Sequence, residues 1–250
     1  MDDLPPPIPA ATLVLMRDVP GGPPDLLMME RPGHMAFAAG ALVFPGGRID
    51  AQDKAAAERL GDGSEALAAR IAAVRETIEE TGIAPVPGLD PDHVDRLRAA
   101  LFAGRDFADL FAEAGAALDL AGLVPFARWC PNFRETRRFD ASFFLAAAPP
   151  GAGEPSPQPG EVTRAFWATA REVLAEIEAD RAHAIFPTRR NLERLARYGS
   201  FAEARADAER HEVRTITPWV EEREGGRWVC IPDDLGYPVT AERLETARRR

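Results

Sequence analysis

Glu76, Glu79 and Glu80 stand at i, i+3 and i+4. On a helix these positions lie side by side on one face. Three carboxylates that close repel one another unless water or a cation offsets their charge. Oxygen-donor sites of this kind suit Mg²⁺ and Mn²⁺, and Mg²⁺ keeps several waters while bridging to substrate phosphates. The chemistry such a platform supports is metal-assisted attack of water on a phosphoryl group. An arbitrary E-x-x-E-E helix is more often a solvated acidic stripe, so the surroundings must decide. Here Arg75 abuts the cluster and can pair with a carboxylate. Upstream, Phe44-Pro45-Gly46-Gly47 reads as a turn where backbone can approach a metal or phosphate closely, because glycine carries no side chain.

The elements that must position these groups are legible in outline. From Ser64 to Thr81 the apolar residues Leu67, Ile71, Val74 and Ile78 recur at spacings of three and four, which predicts an amphipathic helix. Ser64 is placed as its N-cap and Gly82 as the glycine that closes it. Ala11 to Met16, Leu26 to Glu30 and Ala41 to Phe44 read as short strands. Pro91 to Phe102 and Asp106 to Ala114 read as helices, followed by strand-like runs at Leu120–Trp129, Phe139–Ala147 and Val162–Trp167. Ala170–Glu178, Thr188–Tyr198 and Phe201–Arg210 read as helices, and a late hairpin, Thr215–Val220 with Trp228–Ile231, turns at Gly225-Gly226. Mixed strands around one strong helix predict an α+β domain spanning 11–235 with helical insertions at about 54–63 and 90–116. Residues 1–10 and 236–250 are expected to be tails.

Composition bounds the function. The 250 residues are 46% hydrophobic, enough for a sizeable core. The net charge of −10 disfavours non-specific binding to nucleic acid or an anionic membrane. An anionic substrate must therefore be neutralised locally, by metal ions and a few arginines. Cys130 and Cys230 give neither metal-ligand spacing nor a disulfide framework, and a reduced, cytoplasmic setting is expected. The acidic, proline-rich N-terminus is the opposite of a signal peptide, and no apolar run reaches membrane-spanning length.

The run Arg75-Glu76-Thr77-Ile78-Glu79-Glu80-Thr81-Gly82-Ile83 resembles the second half of the Nudix box, G-x5-E-x7-R-E-U-x-E-E-x-G-U with U bulky and apolar. Phe44-Pro45-Gly46-Gly47 resembles the turn that opens it, and Thr77 departs mildly from the first U. The resemblance implies a Nudix-type α/β/α sandwich with a mixed sheet. It also implies that Glu76, Glu79 and Glu80 bind Mg²⁺ or Mn²⁺, with the Gly46 carbonyl a further ligand and Arg75 orienting the glutamates. After Asp53, which stands where the box has Glu, residues 54–74 separate it from Arg75, an insertion relative to the family pattern. Either Asp53 or Glu65 is then expected to pair with Arg75, the balance tilting slightly to Asp53. This interrupted box resembles the split-box subgroup related to peroxisomal acyl-coenzyme A diphosphatase, as do Trp129, the run from Arg137 to Leu145, and Pro187-Thr188 with Asn191 and Leu192.

The resemblance further implies a diphosphatase acting on a nucleoside-diphosphate-linked small molecule, with coenzyme A or acyl-CoA as candidate substrates. An acyl-CoA would yield an acyl phosphopantetheine and adenosine 3′,5′-bisphosphate. Leu27 to Arg31 and Gly40-x3-Phe44-Pro45-Gly46-Gly47 keep parts of the coenzyme A pattern, while its Ser-Ala pair is absent and Ala36 stands where it has Arg. The alternatives are a hydrolase of nucleotide sugars or dinucleotides, and an inactive Nudix module that senses a nucleotide. Glu161 is a candidate base outside the box, set against an ordinary loop glutamate. Arg31, Arg137 and Arg138 are candidates to grip phosphate, since guanidinium groups suit that geometry. His34 also flanks the expected mouth. Trp129, Phe133 and Trp167 are read as core aromatics, Arg189 and Arg190 as a solvated face, and His183 and His211 as surface residues. A small-molecule partner and a monomer or homodimer are expected.

Overall fold

The computed structural model describes residues 5–34, 38–87, 89, 91–113, 118–132 and 138–249. The chain opens with β1 (Ile8–Arg17), β2 (Asp25–Glu30), β3 (Leu42–Val43) and β4 (Gly46–Arg48), then α1 (Ala51–Leu60), α2 (Glu65–Thr81), α3 (Pro91–Phe102) and α4 (Phe107–Glu113). It continues with β5 (Val124–Trp129), β6 (Phe139–Ala147), β7 (Arg164–Thr169), α5 (Ala170–Glu178), α6 (Phe186–Leu195) and α7 (Phe201–Arg210). It closes with β8 (Thr215–Ile216), β9 (Trp219–Arg223), β10 (Gly226–Cys230), β11 (Ala241–Arg243) and α8 (Leu244–Arg249).

One mixed sheet runs β3-β2-β1-β6-β5-β8, with β4 also paired to β1 and β7 to β2. Strands β1 and β6 are parallel, in register from Ile8 against Phe139 to Met16 against Ala147. Strand β1 alternates its side chains between two cores. Leu13 and Leu15 face one, with Ile71, Val74 and Ile78 of α2 and Leu97 and Phe107 of the inserted helices. Val14 and Met16 face the other, with Val173, Ile177, Leu192 and Leu195 from α5 and α6. The result is an α/β/α sandwich with α1–α4 on one face and α5–α7 on the other. Burial on both faces explains why β1 reads as a nearly continuous apolar run.

Helix α2 is fixed mainly by packing. Ile71, Val74 and Ile78 are each fully buried, worth about 1.5–3 kcal/mol apiece relative to exposure. The Ser64 hydroxyl accepts from the Leu67 N–H at 3.2 Å, a cap worth about 1 kcal/mol. Thr77 is tolerated at a fully buried apolar position because its hydroxyl donates to the Ala73 carbonyl at 2.7 Å within the helix.

The tails expected at both ends are corrected by the structure. Ile8 to Ala10 already pair with β6. At the other end, β11 pairs with β10, and the Tyr237 hydroxyl is buried and donates to Asn191 Oδ1 at 2.8 Å. These contacts are non-local pairings that the polar, Arg-rich composition of the terminus hides. Arg190 is not on a solvated face: it is 1% exposed and held between Glu193 at 2.7 Å and Glu242 at 3.1 Å. His211 is half-buried against Asp207, its Nδ1 2.8 Å from the Asp207 carbonyl. Trp129 is a core aromatic, packed edge-on against Phe186 and Tyr237.

Candidate active site

The glycine turn and the acidic helix are built to meet. Strand β4 pairs with β1, Gly47 opposite Ala11 and Gly46 opposite Thr12. A side chain on Gly46, at φ +156°, would overlap the Ala11 carbonyl, and one on Gly47 would overlap the Glu76 carboxylate. Gly46 therefore lets β4 lie against β1, and Gly47 lets it lie against Glu76 of α2. The Gly46 N–H donates to Glu80 Oε2 at 2.9 Å, tying the turn to the helix 34 residues away in sequence.

Arg75 organises the acids. Its guanidinium is 3% exposed and grips Asp53 through two parallel bonds, Nε to Oδ1 at 2.8 Å and Nη2 to Oδ2 at 2.9 Å. Its Nη1 lies 2.7 Å from Glu79 Oε2 and 3.0 Å from Glu76 Oε1, and Nη2 also donates to the Arg48 carbonyl at 3.2 Å. Bidentate, desolvated pairing of this kind is the strong form of an arginine–carboxylate contact. Asp53, fully buried, is thus the acid that pairs with Arg75, while Glu65 is exposed at the start of α2. Asp53 sits in the first turn of α1 and also accepts from the Asp50 N–H at 2.8 Å. The insertion leaves the box intact because α1 begins by aiming this carboxylate and only afterwards departs.

The carboxylates carry more negative charge than the contacts offset. Asp53, Glu76 and Glu79 share the Arg75 guanidinium, while Glu80 accepts from the Gly46 N–H and feels the charge of Arg31. Burial pushes Glu76 up to about 7, against the pull of Arg75 and with a further push from Glu79. Burial likewise raises Glu79, and raises Glu80 well above the usual carboxylate range, with repulsion from Glu76 adding to it. A hard divalent cation is the complement such a donor set lacks. Among the described residues no three acidic, histidine or cysteine side chains are grouped so as to hold a metal ion. Glu76 and Glu79 are instead turned onto Arg75, and Glu80 onto the Gly46 N–H.

Glu161 lies on the loop before β7, exposed, and its charge is felt by both Glu79 and Glu80. That loop is held against the end of α2, where the Gln158 N–H donates to the Glu80 carbonyl at 3.0 Å. Arg31 follows β2, its N–H bonded to the Ala41 carbonyl at 3.0 Å and its buried Nε without a partner among the described residues. Arg138, also with a buried Nε unpartnered among the described residues, precedes β6, on the opposite side of β1 from β4. The charges of Arg31 and Glu161 both reach Glu80. Arg137, Ala36 and Phe133 lie outside the described residues. Two participants escape a reading of the sequence: Arg98, which donates to the Glu79 carbonyl at 2.9 Å, and the Ser156–Gln158 segment. Their partners are backbone carbonyls, which leave no mark on residue type.

No family model matches the chain. A crystal structure of a NUDIX hydrolase from Alicyclobacillus acidocaldarius has a TM-score of 0.69 and 29% identity, covering 80% of this chain and 96% of that one. The chain shares the fold of Nudix hydrolases and resembles them in sequence. The human acyl-coenzyme A diphosphatase NUDT19 is 27% identical to this chain over 238 residues. The match covers 71% of this chain and 62% of the human protein. No helix among the described residues is long and apolar enough to cross a membrane.

Proposed function

We propose that this protein hydrolyses the phosphoanhydride bond of a nucleoside-diphosphate-linked small molecule, with coenzyme A or an acyl-CoA as substrate. The observation that carries the reading is the set of Glu76, Glu79 and Glu80 on one turn of α2, set against Gly46 and Gly47, with Arg75 in ionic contact with Glu76 and Glu79. The similarity to human NUDT19 supports the coenzyme A class.

Glu76, Glu79 and Glu80 with the Gly46 carbonyl would hold Mg²⁺ or Mn²⁺, which would supply neutralisation of the diphosphate and acidification of a water. Arg75 sets the orientation of Glu76 and Glu79 and is itself fixed by Asp53. Arg31, desolvated at Nε and close enough to influence Glu80, offers a donor to a phosphate oxygen. Glu161 is exposed beside the platform and accepts the proton of the attacking water. Addition of water across the P–O–P linkage leaves two phosphate-terminated products. Nucleotide sugars and dinucleotides carry the same linkage and are the rival substrates.

The test is turnover of acyl-CoAs, ADP-ribose, NADH and diadenosine polyphosphates with Mg²⁺ and with Mn²⁺. Acyl-CoAs should be cleaved fastest, and Glu79→Gln and Glu80→Gln should each lower kcat by roughly 100-fold or more, as loss of a preorganised electrostatic group does. Variants as fast as wild type would refute the metal platform. Turnover of another diphosphate with acyl-CoAs untouched would refute the substrate and keep the chemistry.

A further inference from the structure

Helix α2 ends inside the protein, and its last four carbonyls have no helical partner of their own. Each is captured. The Ile78 carbonyl accepts from the Gly82 N–H at 2.9 Å, and the Glu80 and Thr81 carbonyls accept from the Gln158 and Ser156 N–H groups at 3.0 and 2.7 Å. The Glu79 carbonyl accepts from Arg98 Nε at 2.9 Å. Arg98 comes from inserted helix α3, is 9% exposed, and has an Nη2 without a hydrogen-bond partner among the described residues. Gly82, at φ +66°, leaves it room: a side chain there would come within 3.1 Å of Arg98 Nη1 and 3.5 Å of Ser156 Cβ. A buried cation at a helix C-terminus also meets the negative end of the helix dipole.

We infer that Arg98 is a positioning residue: from α3 it clamps the Glu79–Glu80 turn onto which the loop that carries Glu161 is hydrogen-bonded. The inference rests on the proposed hydrolase reading for its catalytic consequence, and on the hydrogen bonds alone for the clamp. Helix α3 reaches the acidic turn through Arg98, so the insertion contributes to the site. Three separate chain segments then converge on a single helical turn: α3 through Arg98, the pre-β7 loop through Ser156 and Gln158, and β4 through Gly46.

The experiment compares Arg98→Met and Arg98→Lys with wild type by amide hydrogen exchange and by steady-state kinetics on whichever diphosphate the wild type cleaves best. In Arg98→Met the amides of Ser156 and Gln158 should lose protection. Its kcat should fall by about 10- to 100-fold, the scale of a small misplacement at a reacting centre, with KM within about twofold. Arg98→Lys, which keeps the charge and one donor, should recover most of both. Unchanged protection of Ser156 and Gln158 would overturn the clamp. Lost protection with wild-type kcat would overturn the positioning role and leave a merely structural contact. If Arg98→Met does not fold, Arg98→Gln carries the same two readouts, with losses in both expected and wild-type behaviour in both overturning the inference. A wild type inert toward every diphosphate would refute the hydrolase reading, while the exchange data would still decide the clamp.

Discussion

Arg75 and Asp53 show how much one buried pair can organise. Removing one partner of such a pair leaves an uncompensated charge and costs about 3–5 kcal/mol. Asp53→Ala should therefore lower the unfolding free energy from urea titration by that amount and release Arg75 onto Glu76 and Glu79, whereas Glu65→Gln, at an exposed site, should leave it unchanged. Equal effects of the two substitutions would contradict the pairing. At this scale the sequence is most informative where the partners are local. Glu76, Glu79 and Glu80 are readable because helical spacing alone makes them neighbours. The choice between Asp53 and Glu65 is not readable, because it depends on where α1 leads the chain. Arg98 is invisible for a stronger reason, since its partner is a carbonyl 19 residues away.

Among the elements, α2, α5 and α7 are legible because their ends carry chemical markers. Ser64 and Gly82 bracket α2, Thr169 with Glu172 forms a capping box on α5, and Ser200 caps α7. The join between α6 and α7 is not marked in this way. It consists of Arg194, which meets Asp207 at 2.8 Å, and Tyr198, whose hydroxyl donates to the same carboxylate at 2.5 Å. Burial alone would raise the Asp207 carboxyl, but the hydrogen bonds from Tyr198 and Arg194 prevail and hold it below its ordinary value of 3.8. A carboxyl depressed in the folded state stabilises the fold above its unfolded pKa, and that stabilisation is lost as pH falls through the folded value. Wild-type stability should accordingly drop more steeply below about pH 4 than that of Asp207→Asn, read as urea midpoints between pH 6 and 3. Parallel pH profiles would remove Asp207 from the account of acid stability.

Over the whole molecule, the sandwich places the acidic turn of α2 against β4 and leaves α5–α7 to close the opposite face of the sheet. The layer architecture is readable from the strong helix and the strand runs. The ordered C-terminal end is not, because β11 and Tyr237 are held by contacts to β10 and Asn191 and not by any periodicity of their own. With a net charge of −10 the protein repels a diphosphate at long range, so binding must rest on local neutralisation at the glutamates and Arg31. Everything proposed for the chemistry depends on Glu76, Glu79 and Glu80 forming a divalent-cation site. Calorimetric titration of Mn²⁺ into wild type and into Glu76→Gln, Glu79→Gln and Glu80→Gln tests it without reference to any substrate. Saturable binding by wild type, weakened by roughly tenfold or more in each folded variant, is the predicted result, since even outer-shell changes cost a metal site that much. Wild-type affinity in all three variants would contradict it.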